Sequence, residues 1–418
     1  PPPGCSTGPR SPIWLPARPT SPHERARFDP PPPPAPVPPA PQAQVPPAPA
    51  PAPGAGGSWQ TPPPAGQAQP AFQAPSQFQP VAAEAGPAPG IMYADLTTRI
   101  IAFIIDAVRT PRGIGKPGKG ALAGMHPQHI AATVLKALQE RNGFNTADVD
   151  DVIWGTSAQK GGQGGDLGRM AALDAGFDIR VSGVTLDRFC GSGLTATNLA
   201  AAQIMSGMED LLIAGGTEMM SLITALGQQE MAAGLRSVGG IGSGNARLQL
   251  RHPQSHQGLC ADAIASMEGF DRATLDAFAL ESQRRAAVAI REGRFDRSIV
   301  SVIDDDGKVV LATDEHPRPQ TTAEELAALK PSFAQIADMA PGGDGVTFRQ
   351  LINRRYPDLK IEHFHHAGNS SGVVDGAAAL LLASADYARK HGLEPRARVI
   401  ATANMGDDPT LMLNGPVP

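Results

Sequence analysis

The chain has 418 residues, a formal net charge of −5 and 18% charged residues. This balance gives no reason to expect nucleic acid or an anionic membrane as a partner. No apolar run in the sequence approaches the roughly eighteen residues that cross a bilayer. The chain has three cysteines, which argues against a disulfide framework and for a reducing compartment, so we expect a cytoplasmic protein.

The first ninety residues differ in composition from the rest. They hold 30 of the 43 prolines, mixed with Ala, Gln and Gly. Such a segment buries too little apolar surface to offset its ordering entropy, so residues 1–91 are predicted to be disordered or polyproline-like. It has neither the apolar core of a signal peptide nor an amphipathic targeting helix. Because Met92 is the first methionine, we interpret 1–91 as upstream, non-native sequence, with a Pro-rich interaction tail as the alternative.

Predicted strands and helices alternate in the next part of the chain. Apolar patterns predict a strand at 99–106, a helix at 126–142 and a second strand at 151–155. The Gly-rich loop at 161–165 lacks the Gly-Lys-Ser/Thr of a phosphate-binding loop. We interpret it as a flexible connection into a helix around residues 169–173.

Cys190 lies in a predicted strand–turn–helix segment. Val184 and Leu186 favour a short strand, glycines follow the cysteine at 191 and 193, and a helix is predicted at 194–205. A cysteine at a helix start faces unpaired N–H groups and the positive end of the helix dipole, which stabilise a thiolate. The local pattern leaves two interpretations open, a nucleophile and a small buried cysteine.

A strand at 210–215 continues the alternation, which predicts an α/β layered domain with mixed or parallel pairing. The alternation is lost between residues 221 and 366. One helix is predicted there at 272–292, with Gly293 as its C-terminal cap. Its predicted apolar face consists of Leu275, Phe278, Ala279, Ala286 and Ile290. Strand patterns return at 377–383 and at 398–402.

Several motifs, in this order along the chain, together resemble the thiolase family. They lie at 106–112, 190–193 (Cys-Gly-Ser-Gly), 214–221, 256–258, 366–372 with 375–376, and 406–409 with 415–418. The resemblance implies a layered α-β-α fold with an inserted loop domain. It assigns 92–220 and 367–390 to the N-terminal α/β domain and 221–366 to a coenzyme A-binding and oligomerisation loop domain. It assigns 391–418 to the start of a second thiolase domain.

The same resemblance implies an acyltransferase. Cys190 would take the acyl group of a 3-ketoacyl-CoA as a thioester, and coenzyme A would then release it; the reverse direction condenses acyl-CoAs. Coenzyme A is a substrate, and no cofactor or metal is expected. The implied partners are acyl-CoA, coenzyme A and further copies of the chain, as a homodimer or homotetramer at full length. The implied coenzyme A contacts are His256, Gln257, Arg318, Ala367, Gly368 and Ser371.

Three segments of the family pattern do not occur in these 418 residues. They are Gly-His-Pro-x-Gly, Cys-x-Gly-Gly-Gly and Asn-Glu-Ala-Phe, which supply the acid/base His, a second Cys and part of an oxyanion site. We therefore expect a C-terminally truncated thiolase, with the second half largely missing and the fragment inactive alone. Cys260 is interpreted as a packing residue. Asp187 replaces the family's usual Asn, and its charge is expected to oppose thiolate formation.

The segment between Phe333 and Ala367 is longer than in short acetoacetyl-type thiolases and resembles thiolases that accept larger acyl groups. His363, His365 and His366 in this segment suggest a metal site, but the spacing is compact and no Cys accompanies them. Two alternatives to a thiolase enzyme remain. One is a non-catalytic thiolase-like subunit that binds acyl-CoA or lipid, and the other is a ketoacyl synthase, which lacks Ala-Gly-Asn-Ser-Ser-Gly.

Overall fold

The computed structural model describes residues 101–233, 245–341 and 344–417. The predictions for residues 1–91 lie outside these ranges. Within them, no helix has both the length and the apolar character that crossing a membrane requires.

The strands of the described chain form one large mixed sheet and one small sheet. They are β1 (Ala102–Arg109), β2 (Gly113–Ile114), β3 (Asp151–Gly155), β4 (Ser182–Leu186), β5 (Leu211–Met219), β6 (Val302–Ile303), β7 (Val309–Leu311), β8 (Val374–Ser384) and β9 (Ala397–Arg398). The large sheet has the order β4-β3-β5-β8-β1-β9, with β2 beside β8, and β6 pairs with β7. β3 is parallel to β4 and β5, whereas β8 is antiparallel to β5 and β1.

Helices connect these strands, and most of them lie between β5 and β8. They are α1 (Pro127–Asn142), α2 (Leu167–Asp174), α3 (Ser192–Ser206), α4 (Met220–Ala232), α5 (Ala246–Arg251), α6 (Gln257–Glu268), α7 (Arg272–Arg291), α8 (Ala323–Ala328), α9 (Ala334–Ala337), α10 (Phe348–Asn353) and α11 (Ala385–His391). α1 starts with Pro127 in its first turn and ends at Gly143 in the left-handed conformation.

Helices cover both faces of the large sheet. Successive side chains of a strand point to opposite faces, and β5 shows this alternation. Leu211 and Ile213 belong to a core that contains α1 and α2, whereas Leu212 and Ala214 belong to a second core that contains α3. The predicted layered α/β fold is therefore confirmed.

One local prediction needs correction. The strand expected at 398–402 is only the two-residue β9, whose residues lie opposite Phe103 and Ile104 of β1. Helix α7 has the predicted bounds to within one residue, and part of its apolar face is exposed: Phe278 is 79% exposed and Ile290 54% exposed. Apolar spacing predicts a face, not what covers it. The buried residues of α7 are Asp276 and Ala289 instead.

The region between β5 and β8 has its own small core. Leu259, Cys260 and Ala263 of α6 pack with Ile352 of α10. Leu411, far along the chain, completes this core. The proposed domain bounds within 92–418 stay a prediction.

Candidate active site

Several loops meet at one edge of the large sheet. Parallel β3, β4 and β5 end at this edge, since Gly155 lies opposite both Leu186 and Gly216. The antiparallel β8 begins there, with Asp375 opposite Met219. The turn after β4 and the loop before β8 therefore lie at the same edge, where ligands of α/β sheets commonly bind.

Cys190 lies in the turn between β4 and α3 and is exposed. The helix begins two residues later, with Gly191 as its N-cap. The first N–H groups of a helix have no intrahelical acceptor, and they form the positive end of its dipole. The thiol is thus accessible and lies before the positive end of the α3 dipole.

The residue before Cys190 has a strained backbone. Phe189 has φ +47°, in the left-handed region that a bulky side chain rarely adopts. Its N–H donates to Asp187 Oδ1 at 2.7 Å, its carbonyl accepts from Ser192 N at 3.1 Å, and Ser192 Oγ lies 2.6 Å from the same carbonyl oxygen. Strain of this kind costs about 1–3 kcal/mol and persists only where the surroundings impose it. These hydrogen bonds impose the turn that exposes Cys190.

The start of α3 packs directly on the end of β3. A Cβ added at Gly155 would lie 2.6 Å from the carbonyl carbon of Ser192 and 2.7 Å from Gly193 N. The Ser192 hydroxyl also accepts from Arg188 N at 2.8 Å and lies 3.1 Å from the carbonyl oxygen of Thr156. Only glycine at position 155 permits this close approach, which fixes the height of the turn that carries Cys190 above the sheet.

Asp187 and Arg188, which precede Cys190 in the turn, make different contacts. The Asp187 carboxylate caps the turn through Phe189 N, a role that the carbonyl oxygen of an Asn also fills. Arg188 donates from Nη1 to Asn404 Oδ1 at 2.6 Å. The effect of the Asp187 charge on the thiolate stays a prediction.

His256 is the N-cap of α6 and is half-buried. Its Nδ1 accepts from Gly258 N at 3.2 Å, so the neutral ring carries its proton on Nε2. The rings of Phe333 and Phe348 lie 5.5 and 5.7 Å from it, centroid to centroid. Burial lowers the pKa of His256 below its ordinary value, so the ring is a neutral donor. Its neighbour Gln257 is exposed.

The loop before β8 is anchored to α7. Buried His366 lies 2.8 Å from Asp276 Oδ1 through Nε2, while its Nδ1 accepts from Gly368 N at 3.0 Å. Asn369 donates to the same carboxylate oxygen at 2.9 Å and accepts from His366 N. Ala367 is exposed between these anchors. This arrangement fixes the backbone of the loop at 366–369.

The rest of this loop is shaped by close packing. A Cβ at Gly368 would lie 2.6 Å from Leu326 Cδ2, and one at Gly372 would lie 2.6 Å from the His316 ring. Ser371, between them, is exposed. The backbone of the loop therefore lies against its neighbours while Ser371 remains available to a ligand.

Arg318 is exposed and is also held by α7. Its backbone N–H donates to Gln283 Oε1 at 2.9 Å. Gln283 lies seven residues, about two turns, after Asp276, so both lie on one side of the helix. One rigid helix therefore supports the loop before β8 and the segment of Arg318. Within the described ranges, no hydrogen bond joins Cys190 to any of the six expected coenzyme A contacts.

Two further cysteine and histidine predictions concern α6. Cys260 is fully buried, with Sγ 3.3 Å from the Thr410 carbonyl oxygen, and burial raises its pKa to about 12. Its packing role is confirmed.

His363 and His365 each direct Nδ1 to buried Asp262, at 2.9 and 2.7 Å. His366 binds a different carboxylate, and in the described residues no three such side chains are arranged to hold a metal ion.

Sequence reasoning missed two buried polar residues near these loops. Gln163 is fully buried with four polar contacts within 3.0 Å, so the loop at 161–165, which connects β3 to α2 as expected, also holds a buried side chain. Asp276 was hidden within the apolar pattern of α7. The signal available for Gln163 was a polar residue between glycines, and the signal for Asp276 was a charged residue within an apolar helix pattern.

Known proteins resemble most of this chain. The family model described as "Thiolase, N-terminal domain" matches residues 102–344. A beta-ketoadipyl-CoA thiolase of Pseudomonas putida is 40% identical over 331 residues, 76% of this chain and 74% of that protein. One of Escherichia coli is 38% identical over 333 residues, with the same coverage. A 3-ketoacyl-CoA thiolase of Psychrobacter cryohalolentis is 35% identical over 318 residues, 75% of this chain and 72% of that protein.

Proposed function

The chain belongs to the thiolase family, acyltransferases that pass an acyl group between a cysteine thioester and coenzyme A, and we propose that Cys190 is its acyl-accepting nucleophile. One observation carries this proposal: an exposed thiol follows a strained residue and lies two residues before the start of a helix. Buried Cys260 has neither the access nor the charge-stabilising surroundings.

The proposed reaction has two half-reactions. The Cys190 thiolate attacks the C3 carbonyl of a 3-ketoacyl-CoA, and the C2–C3 bond breaks. Its electron pair passes to C2, which takes a proton and leaves as acetyl-CoA. Coenzyme A thiolate then attacks the enzyme thioester, and Cys190 leaves as thiolate. Coenzyme A is a substrate throughout, and we propose no other cofactor.

We propose that coenzyme A lies along the surface that α7 supports. Arg318 would meet the nucleotide end, by charge or by stacking on adenine. Ala367, Gly368 and Ser371 would contact the pantetheine, with His256 as a neutral donor and Gln257 beside it. The fixed backbone of the loop at 366–369 supports this, because a preformed site loses less entropy on binding.

We propose a 3-ketoacyl-CoA with a medium-length acyl group as substrate, and beta-ketoadipyl-CoA is the first compound to test. Two of the three relatives described above carry that name. We propose that the segment between Phe333 and Ala367 affects the acyl size that is accepted; its Phe348 lies 5.7 Å from the His256 ring, centroid to centroid.

Single acylation tests this proposal without requiring turnover. The 418-residue chain is incubated with beta-ketoadipyl-CoA or acetyl-CoA, and intact mass and peptide mapping locate the adduct. We expect one hydroxylamine-sensitive acyl group on Cys190, lost in Cys190→Ala and kept in Cys260→Ala. Binding of coenzyme A without any adduct would favour a non-catalytic binding subunit instead.

We also propose that the chain self-associates and is cytoplasmic. Strand β4, the outermost strand of the large sheet, supports self-association, since its Val184 is 44% exposed and nearby Ile179 is 80% exposed. Light scattering on the wild type and on Val184→Glu tests this, and a monomeric wild type at micromolar concentration would contradict it. A nucleophilic thiol supports a reducing compartment, and cell fractionation tests that location.

A further inference from the structure

The Gly-rich loop at 161–165 contains a short 3₁₀ turn, Gly161–Gln163, that buries a polar side chain. Gly161 and Gly165 have φ +52° and +67°, which glycine adopts without strain. This backbone directs Gln163 into the protein, where it is 0% exposed. Burying an amide without partners costs roughly 1–3 kcal/mol, so its hydrogen bonds indicate what it holds.

Gln163 joins the ends of two strands at the active-site edge. Its Nε2 lies 2.8 Å from Thr156 Oγ1 and 3.0 Å from both Ala158 O and Glu218 Oε1. Its Oε1 accepts from Met219 N at 2.6 Å. Thr156 follows β3, whereas Glu218 and Met219 end β5. One side chain therefore fixes the spacing between these two strand ends.

This network continues to the nucleophile turn. The second oxygen of Glu218, Oε2, accepts from Ser157 N at 2.7 Å. The Thr156 carbonyl oxygen lies 3.1 Å from Ser192 Oγ, and that hydroxyl accepts from the backbone of Arg188. Gln163 is thus two contacts away from the turn that carries Cys190.

We propose that Gln163 is a positioning residue for Cys190. It fixes the position of residues 156–158 after β3, and through the Ser192 hydroxyl it fixes the orientation of the turn that carries Cys190. The inference rests on the proposed role of Cys190. Gln163 itself touches no reacting atom. Its amide suits this position because it donates to Glu218 and accepts from Met219 N simultaneously, which a carboxylate cannot do.

The test measures alkylation of Cys190 by iodoacetamide at pH 7.0, with glutathione as an external reference and melting temperature as a measure of folding. Gln163→Met keeps the volume and removes the hydrogen bonds. Gln163→Glu places a second carboxylate beside Glu218. We expect each to slow Cys190 alkylation by about fivefold or more at temperatures where the protein is folded. The side-chain amide of exposed Gln159 makes only a long hydrogen bond, 3.5 Å, to Thr185 O. The same two changes at Gln159 should alter the rate of Cys190 alkylation less than about twofold.

A rescue distinguishes positioning from general support of the fold. In the double variant Gln163→Glu, Glu218→Gln, the amide and the carboxylate exchange places and their hydrogen bond reforms. We expect the rate to return to within about threefold of the wild type. If the single variants do not fold, Thr156→Val removes one bond of the network and should slow Cys190 measurably.

Each remaining outcome counts against the inference. A lower melting temperature with an unchanged rate of Cys190 alkylation would mean that Gln163 only supports the fold. A folded double variant in which Cys190 alkylation stays slow would contradict the proposed connection between Gln163 and the Cys190 turn. A wild-type Cys190 no faster than glutathione would instead remove the proposed nucleophile, which is a distinguishable result.

Discussion

His366 lies 2.8 Å from Asp276, ninety residues earlier in the chain, and this contact fastens the loop before β8 to α7. Arg272 donates to the same carboxylate at 2.7 Å. Burial alone would raise the pKa of Asp276, but hydrogen bonds from Arg272, His366 and Asn369 outweigh it and hold the pKa below its ordinary value. The carboxylate is therefore charged at neutral pH and organises three donors.

Replacing this carboxylate should loosen the loop. Asp276→Asn keeps the shape but presents an amide group to donors, so we expect the free energy of unfolding to fall by about 2–3 kcal/mol. Coenzyme A binding should weaken about tenfold, because the loop is no longer preformed. Urea unfolding and calorimetric titration measure the two effects. Asp305→Asn, at a fully exposed carboxylate, is the control, and equal binding by both variants would contradict the role of Asp276.

The two described cysteines should differ in reactivity. Cys190 is exposed at a helix start, whereas Cys260 is buried with its pKa raised to about 12. At pH 7 a thiol with that pKa is about 10⁻⁵ thiolate, so we expect iodoacetamide to label Cys190 at least about a hundredfold faster. Peptide mapping over time measures both rates, and labelling in guanidinium, where the difference should vanish, is the control. Equal rates in the folded protein would contradict the nucleophile assignment.

Gly155→Ala should displace the start of α3. The new Cβ would lie within 2.8 Å of three backbone atoms of Ser192 and Gly193, which cannot move without moving the helix. We expect a loss of about 1–3 kcal/mol in unfolding free energy and slower Cys190 alkylation. Gly227→Ala in α4, where a Cβ meets nothing within 4 Å, should stabilise by about 0.5–1 kcal/mol. Similar effects of the two alanines would show that α3 tolerates displacement.

The strain at Phe189 predicts opposite effects of two substitutions. Asn adopts the left-handed conformation readily and Val does so rarely. With 58% of the side chain exposed, little packing is lost. We expect Phe189→Asn to raise the free energy of unfolding by about 0.5–1 kcal/mol and Phe189→Val to lower it by about 1–2 kcal/mol. Chemical denaturation measures both, and the reverse order would mean that Phe189 contributes mainly by packing.

The sequence predicted elements well where the pattern is local. The apolar run at 151–155 is β3 with the expected bounds, and 377–383 lies within β8, because buried strands are short apolar runs bounded by turn residues. The position of Cys190 between strand and helix followed from the glycines after it. These features depend on neighbours in sequence.

Pairings between distant segments could not be predicted in this way. β8 lies between β5 and β1, although it follows β5 by more than 150 residues. The apolar pattern of a strand does not indicate which other strand it pairs with. The same holds for Gln163 and Asp276. Each resembles an ordinary polar residue until the fold surrounds it with distant backbone and side-chain groups.

Asp314 predicts how stability depends on pH. Arg109 binds both its oxygens, at 2.7 and 2.9 Å, and Arg112 donates from its backbone N–H at 2.8 Å. These contacts join the motif at 106–112 to the segment that carries Arg318. Burial alone would raise the pKa of Asp314, but the hydrogen bonds from Arg109 and Arg112 outweigh it and hold the pKa well below its ordinary value.

The sign of the effect follows from this direction. Because the folded-state pKa lies below the unfolded value of about 3.9, the stabilisation is present above that pH and is lost as the pH falls towards the folded-state pKa. Asp314→Asn should therefore lower the free energy of unfolding by about 2–3 kcal/mol at pH 7, and the difference from the wild type should shrink below about pH 4. Urea unfolding at several pH values between 7 and 2.5 measures this, with Asp358→Asn at an exposed carboxylate as the control. A difference that stays constant down to pH 2.5 would mean that the Asp314 charge contributes nothing and that only the shape of the side chain matters.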